Sequence, residues 1–208
     1  QNFRTPEFDL DCLYGDGPDK DKEAHLYNSD GLHFQLAGTG FDFVRGRTGK
    51  AHIGDPRNDS NRIVSQLHVA FARFHNRVVD GLAAAHSGSD LFLAARKTVT
   101  YHYQWIVLRD YLPTIVGQPL VDAILPPVIF EKTWRGAIED TWGNLKLFCP
   151  KDRRYMPLEF SAAAFRFGHS MVRSDYELNV GGEQTLLFDG GPQGDKGVSR
   201  KGPLPTQA

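Results

Sequence analysis

Apolar residues recur at spacings of three and four along one stretch of the chain, which is the pattern of a helix with an apolar face. Asp59 and Ser60 lie just before this stretch, and both residue types are favourable N-caps. The run 86–89 (His-Ser-Gly-Ser) ends the pattern. The sequence therefore predicts a helix that begins near Asp59 or Ser60, with a stripe formed by Ile63, Leu67, Phe71, Phe74, Val78 and Leu82.

Two further helices are predicted downstream. One starts after Ser89 or Asp90 and continues towards Leu112 and Pro113, with Leu93, Val99, Trp105 and Leu108 along it. At that length we expect it to be largely buried. The other covers about Leu158–Val172 and contains Ala162, Ala163, Ala164 and Gly168. Small residues of this kind allow another backbone or a flat ligand to approach closely.

The remaining segments are irregular. Residues 1–56 are rich in Gly, Asp and Asn and predict loops and turns, with a short strand at Leu32–Leu36 and no internal repeat. The prolines of 119–127 predict a bend, 130–134 a weak short helix, and 189–208 a loop or disordered tail. The predicted fold is mainly α: a loop-rich segment (1–56), a helical core (57–188) and that tail.

The composition is that of one globular domain with a sizeable core, since 208 residues contain 40% hydrophobic and 24% charged positions. Fourteen Phe, seven Tyr and three Trp suit either a large flat apolar ligand or a thick aromatic core. The net charge of −1 gives no reason to expect nucleic acid or an anionic membrane surface as a partner. No segment predicts a membrane span or a signal peptide. Cys12 and Cys149 allow one disulfide and leave the redox compartment open.

Two residues are candidates for chemistry at a haem or an anion. His169 lies late in the third helix between Phe167 and Met171, and a neutral imidazole in apolar surroundings is a good haem-iron ligand. A lone His on an apolar helix is nevertheless more often a core residue. Arg57 precedes the first helix and can aim its guanidinium at an anion or a polarised oxygen. Taken alone, such an arginine is more often a surface ion-pair partner.

Two further sets of residues suggest metal binding. His68 and His75 lie seven residues apart on one helix face, but no carboxylate completes a metal site, so a buried hydrogen-bonding network is the preferred interpretation. The loop 5–11 places oxygen-bearing residues at alternate positions. Thr5, Asp9 and Asp11, with a backbone carbonyl, predict a Ca²⁺ site.

Five motifs occur in the order of a known family. They are Asp9–Gly15, Gly54–Arg57, Leu67–Arg77, Gln104–Pro113 and Ala164–His169. Together, over about Asn2 to Asp175, the chain resembles the animal haem peroxidase family, also called the peroxidase–cyclooxygenase superfamily.

The resemblance implies a function and residue roles. The fold would be a helical haem peroxidase core, secreted or extracellular, that reduces hydrogen peroxide and oxidises a small organic or halide donor. His169 would be the proximal ligand of the haem iron, and Arg57 the distal arginine that stabilises charge as the O–O bond breaks. The Ca²⁺ ligands would be the side chains of Thr5, Asp9 and Asp11 and the carbonyl of Glu7. The family's helix signature would be structural and includes His68, Arg73, His75, Asn76 and Arg77.

The chain departs from the family at several positions. The distal histidine motif, Gln-x-x-Asp-His, and the asparagine partner of the proximal histidine are absent from these 208 residues. We therefore expect little peroxidase turnover from this chain alone. Ser60 stands where mammalian members carry a haem-esterifying Glu, which predicts non-covalent haem b. Arg166 replaces the radical-forming Tyr of fatty-acid oxygenases, which favours a peroxidase.

Three alternatives stay open: a truncated or degenerate domain without catalysis, a haem fatty-acid dioxygenase, and a non-haem metalloenzyme built on His68 and His75. The sequence does not specify the oligomeric state.

Overall fold

A computed structural model describes residues 7–19, 24–125, 156–178 and 184–187. The structure is mostly helical, which confirms the predicted fold class. The α-helices are α1 (Asp11–Tyr14), α2 (Arg62–Leu82), α3 (Gly88–Ile106), α4 (Leu112–Val116), α5 (Gln118–Ile124) and α6 (Phe165–Phe167). Short 3₁₀ turns cover Ala24–Leu26, Pro56–Asp59 and Gly168–Met171, and π-helical turns cover Val107–Tyr111 and Glu159–Ala164. Strands β1 (Asp175–Glu177) and β2 (Gln184–Leu186) pair antiparallel, with Tyr176 opposite Thr185.

The described residues fall into two compact units. One contains those of Leu10–Val99 and Leu158–Ala208, and the other those of Thr5–Asp9 and Thr100–Pro157. In the second unit, the segment 7–9 is attached to α3: Gln104 Nε2 donates to the Phe8 carbonyl at 3.0 Å, and Phe8 packs edge-on against Tyr103. Within the described ranges, no helix has both the length and the apolar character needed to cross a membrane.

The N-cap of α2 is Asn61, so the expectation of Asp59 or Ser60 is wrong. The Asn61 side chain accepts a hydrogen bond from Val64 N at 2.9 Å. Asp59 belongs to the preceding 3₁₀ turn, which Asp55 caps by accepting from Arg57 N. A short capped 3₁₀ turn precedes the capped helix α2 where the sequence pattern suggested one element, and this shifts the start of α2.

The buried face of α2 also differs from the predicted apolar stripe. Ile63 and Leu67 are 39% and 60% exposed. The buried positions are Ser65, His68, Val69, Ala72, His75 and Val79. The helix is turned so that His75 bonds Leu32 and Tyr14 in the N-terminal segment and His68 packs against Phe43 there.

The loop-rich N-terminal segment contains three successive hairpin turns with a nine-residue period, contrary to the expectation of no repeat. The turns close on Gly31, Gly40 and Gly49, whose positive φ angles favour glycine. Isolated β-bridges flank them: Tyr27 with Phe34, Leu36 with Phe43, and Arg45 with Ala51. The predicted strand at Leu32–Leu36 is thereby reduced to bridging residues, because the chain reverses after so few positions.

Some of the other sequence predictions are confirmed, and others differ from the structure or lie outside the described residues. Helix α3 exists but is not largely buried: Trp105 is 59% exposed, and only Leu91, Phe92, Ala95 and Val99 are buried along it. Within the expected bend at 119–127, the residues up to Ile124 instead form α5, whose first turn accommodates Pro119, and the described chain bends at Leu125. The predicted helix at 130–134 and the tail 189–208 lie outside the described residues. The helix around Leu158–Val172 is confirmed as a helical segment that changes from π to α to 3₁₀.

Candidate functional site

Arg57 is held by the carboxylate of Asp55. Arg57 Nε lies 3.0 Å from Asp55 Oδ1, and Arg57 NH2 lies 2.5 Å from Oδ2. The Asp55 side chain is 8% exposed, whereas that of Arg57 is 64% exposed. Hydrogen bonding to Asp55 raises the pKa of Arg57, and the charge of nearby Asp11 adds to this. The guanidinium of Arg57 is therefore permanently charged. Asp55 holds it in place, and most of the Arg57 side chain stays exposed to solvent.

His169 lies on the exposed helical segment formed by Glu159–Ala164, α6 and Gly168–Met171. Its imidazole is exposed and has no hydrogen-bond partner among the described residues. Phe165, Phe167 and Met171 beside it are also exposed, at 59%, 78% and 60%. Within the described part of the chain, the expected apolar surroundings of His169 are therefore present as exposed side chains and do not bury its imidazole. The structure brings Arg57 together with Asp55 and Asp11, and it places His169 on a separate segment.

The residues around His169 nonetheless fit a haem group. A planar apolar ligand needs an imidazole with an available nitrogen, apolar side chains nearby and space to approach. His169 and its exposed aromatic neighbours supply the first two. At Gly168, an added Cβ would meet nothing within 4 Å among the described residues, which leaves space on that part of the chain. The donor set and the surface chemistry therefore suit haem.

The calcium prediction stays a prediction. Thr5 lies outside the described residues. Glu7 is exposed in the bend that precedes α1, Asp9 is half-buried, and Asp11 is the first residue of α1. Within the described ranges, no group of three or more His, Cys, Asp and Glu side chains is placed to hold a metal ion. The predicted ligand set also uses a threonine and a backbone carbonyl, which that observation does not cover.

His75 belongs to a buried hydrogen-bonding network, as its sequence context suggested. Its Nε2 lies 2.9 Å from the Leu32 carbonyl, and its Nδ1 lies 3.1 Å from the Tyr14 hydroxyl. Because a carbonyl only accepts, Nε2 carries the proton and Nδ1 accepts from Tyr14. Burial lowers the pKa of His75 to about 4, so the ring is neutral at pH 7. With both nitrogens engaged, His75 is not available as a metal ligand, and the non-haem metal alternative loses its support.

His68 is buried about two helical turns before His75 on α2. Its Nδ1 accepts from the Asn58 amide at 3.3 Å, and its ring packs against Phe43. Its Nε2 is buried, and the described protein atoms offer it no hydrogen-bond partner. Burial lowers the pKa of His68 to about 4. Neutral His68 links the Pro56–Asp59 turn, and thus the Arg57 region, to α2.

A second arginine near this region was missed in the sequence. Arg45 NH1 lies 2.8 Å from Asp59 Oδ2, and Arg45 Nε lies 2.9 Å from Asp42 Oδ2. The hydrogen bond to Asp59 raises the pKa of Arg45 most, and the hydrogen bond to Asp42 raises it further. Asp59 was expected to cap the first helix. Instead, its ion pair with Arg45 fixes the 3₁₀ turn that contains Arg57 to the hairpin segment. The three-residue spacing of Asp42 and Arg45 is a weak sequence signal for their ion pair. The pairing of Arg45 with Asp59 gives no local signal, because Asp59 is distant in sequence.

Comparison with known proteins shows which family the chain is similar to. A family model described as animal haem peroxidase matches residues 10–186. The chain is 32% identical to peroxidase mlt-7 of Caenorhabditis elegans over 127 residues, which is 60% of this chain and 15% of that protein. It is 29% identical to dual oxidase of Drosophila melanogaster over 123 residues, or 58% of this chain and 7% of the relative. It is 32% identical to human thyroid peroxidase over 122 residues, or 57% and 11% respectively. The chain thus spans less than a fifth of the length of these relatives.

Proposed function

The chain belongs to the animal haem peroxidase family, and from this premise we propose that it is part of a haem-dependent peroxidase that reduces hydrogen peroxide and oxidises a small organic or halide donor. The supporting observation is the exposed imidazole of His169 on a helical segment whose surface is aromatic. Because the chain spans so little of its relatives, the activity of the whole protein is part of the proposal.

His169 is the proposed proximal ligand of the haem iron. One of its ring nitrogens would bind the metal, and the side chains of Phe165, Phe167 and Met171 would lie against the ring system. The exposure of these three side chains favours haem binding, because covering large apolar side chains is favourable by about 25 cal/mol per Å². Bound haem supplies the redox chemistry with which peroxide is reduced. The position three residues after Arg57 is Ser60, so we propose non-covalent haem b.

Arg57 is the proposed distal arginine. Breaking the O–O bond of peroxide places negative charge on the leaving oxygen, and a fixed cation lowers the cost of that charge. Asp55 keeps Arg57 oriented without neutralising its exposed edge. The proposed Ca²⁺ site, with Thr5, Glu7, Asp9 and Asp11, would stabilise the segment that leads to α1. A secreted or extracellular location is likewise part of the proposal.

Haem titration tests the role of His169. The chain is mixed with hemin, and the Soret band is compared between the unaltered protein, His169→Ala and His86→Ala. His86 is the matched control, since it is another partly exposed histidine on a different segment. We expect His169→Ala to lose or shift the band and His86→Ala to keep it. An unchanged band in His169→Ala would contradict the proposed ligation. Acid–acetone extraction of the haem from the unaltered protein tests the non-covalent b-type assignment.

A second candidate function is a haem-binding domain without catalysis. Within these 208 residues none of the eight histidines follows an aspartate, so catalysis would need a Gln-x-x-Asp-His motif from another part of the protein. Such a histidine is the acid–base group for peroxide. A chromogenic donor assay on the haem-loaded chain separates the two functions, with turnover at rates typical of enzymes supporting catalysis. Oxygen uptake with polyunsaturated fatty acid, giving hydroperoxide, would instead indicate a dioxygenase.

A further inference from the structure

Tyr14 and His75 form a fully buried hydrogen-bonded pair. Both side chains are 0% exposed, and the Tyr14 hydroxyl donates to His75 Nδ1 across 3.1 Å. The Leu32 carbonyl fixes the proton of His75 on the opposite nitrogen, at 2.9 Å. The lone pair of a neutral base is therefore aimed at a phenolic O–H inside the protein.

Aromatic rings enclose this pair. We call Tyr14, Tyr27, Phe34, His75 and Phe92 the aromatic box. Phe34 and Phe92 lie 5.5 Å and 6.0 Å from the Tyr14 ring, measured between centroids. Each ring of the box is at most 5% exposed. The guanidinium of Arg96 lies 5.1 Å from the Tyr14 ring centre. Small reagents in water therefore have no direct access to the phenol oxygen.

The chemistry of a phenol next to a base is specific. Removing one electron from a phenol makes its O–H strongly acidic, so oxidation is easy only when a base takes the proton in the same step. We propose that Tyr14 and His75 are a proton-coupled one-electron redox site. Tyr14 gives one electron to a one-electron oxidant, and its hydroxyl proton moves to His75 Nδ1. The products are a neutral tyrosyl radical and an imidazolium, and one electron from a donor reverses both transfers.

Tyr27 provides an internal comparison within the aromatic box. It is 4% exposed, and its hydroxyl donates to the backbone carbonyl of Tyr14 at 2.8 Å. A peptide carbonyl is too weak a base to keep the proton of an oxidised phenol. Tyr14 and Tyr27 thus share a location but differ in proton acceptor, and the structure assigns the radical to Tyr14.

The buried radical would store an oxidising equivalent away from solvent. In a protein that uses peroxide, stray oxidising equivalents would then end on the buried Tyr14, where the radical does not cross-link residues at the protein surface. That protective role rests on the proposed function, whereas the redox chemistry of Tyr14 and His75 does not. An external oxidant therefore tests it without haem.

The experiment uses the full 208-residue chain and flash-generated ruthenium(III) tris(bipyridine). Ascorbate is added afterwards to remove radicals at exposed tyrosines such as Tyr101, and the sample is frozen for electron paramagnetic resonance. We expect an ascorbate-resistant tyrosyl signal in the unaltered chain and in Tyr27→Phe. The signal should be lost in Tyr14→Phe and in His75→Gln, with thermal melts verifying that each variant is folded.

A measurement on the unaltered chain covers the case in which a variant does not fold. Exchange into D₂O should change the hyperfine pattern, because the imidazolium proton donates to the radical oxygen. Labelling the histidines with ¹⁵N should replace the ¹⁴N coupling of His75 with a ¹⁵N coupling. The proposal is overturned if no ascorbate-resistant radical forms, if the radical survives in folded Tyr14→Phe, or if it lacks both the exchangeable-proton and the histidine couplings. These outcomes leave the haem titration of His169 unaffected, so the two proposals fail separately.

Discussion

The side-chain amide of Asn76 pairs with the backbone of Phe34 as a neighbouring strand would. Phe34 N donates to Asn76 Oδ1 at 2.7 Å, and Asn76 Nδ2 donates to the Phe34 carbonyl at 3.0 Å. The two residues are 42 positions apart, and Phe34 is nearly fully buried. One side chain of α2 thus satisfies both polar backbone groups of a bridging residue in the hairpin segment, and it fixes that segment to the helix.

Replacing Asn76 with Leu should destabilise the protein markedly. The apolar side chain keeps the approximate volume but leaves the N–H and the carbonyl of Phe34 unpaired, and each buried unpaired group costs about 1–3 kcal/mol. Urea unfolding measures the change. Gln66→Ala is the control, because Gln66 also bonds a backbone carbonyl, that of Phe41, in an exposed setting. Equal stabilities of the two variants would show that the Asn76 contacts contribute little.

Acid should unfold the protein through His68 and His75. Burial lowers the pKa of each from 6.5 to about 4, so the unfolded chain binds protons first as the pH falls. Their contribution is complete above pH 6.5 and is lost progressively down to about pH 4, with a limit on the order of 3 kcal/mol per histidine. His75→Gln should flatten the stability curve in that window, measured by urea titration at several pH values. An unchanged slope would mean that the histidines are not buried in the neutral form.

Arg45 should be one of the most sensitive charged positions. It joins Asp42 and Asp59, and all three side chains are at least four-fifths buried. Arg45→Met leaves two carboxylates without their counter-charge, and removing one partner of a buried ion pair costs roughly 3–5 kcal/mol. Thermal melting of Arg45→Met, Asp59→Asn and the double variant measures the coupling. We expect the double variant to be less destabilised than the sum of the single ones. Strict additivity would contradict the ion pair.

The regular elements were predictable because their signals are local. The period of α2 and the small-residue helix that carries His169 are both visible within windows of fifteen to twenty residues. Arg57 and His169 were candidates on their own residue types, and the order of motifs gave them their expected roles, since neither residue is distinctive alone. The Asp55–Arg57 pair, two residues apart at a helix start, was accessible to sequence analysis and was not recognised.

The missed features depend on partners that are distant in sequence. The buried face of α2 is determined by bonds from His75 to Leu32 and Tyr14, 43 and 61 positions away, which no periodicity reveals. Arg45 likewise meets Asp59 only because the hairpin turns bring them together. The repeat is visible in the sequence only as the recurrence of Gly31, Gly40 and Gly49 and of Phe34 and Phe43, while the other bridging residues differ. Hydrophobic pattern thus predicted elements, and tertiary hydrogen bonding decided their orientation.

His33 should give stability an opposite pH trend. Its Nδ1 lies 2.6 Å from Asp30 and its Nε2 lies 3.2 Å from Asp80 on α2. Partial burial opposes the charged ring, but the two carboxylates outweigh it and raise the pKa of His33. For Asp30, partial burial is likewise outweighed, by hydrogen bonds from Leu32 N and His33, and its pKa is lowered.

The sign of each contribution follows from these shifts. The raised pKa of His33 gives stability that is complete below 6.5 and is lost as the pH rises through the folded value. The lowered pKa of Asp30 gives stability above 3.8 that is lost as the pH falls through its folded value. The contacts of His33 are therefore strongest between these two limits. Because the carboxylates are 42% and 62% exposed, screening keeps the effect below about 1 kcal/mol.

His33→Gln should therefore lower stability at pH 5.5 and leave it nearly unchanged at pH 9. Urea unfolding at both pH values, in low salt and in high salt, measures this difference, which added salt should reduce. His86→Gln is the matched control, because His86 pairs with Asp90 on a neighbouring turn without joining distant segments. An equal loss at pH 5.5 and pH 9 would assign His33 a packing role, since only an ionic role requires the loss to disappear when the imidazole is neutral in both states.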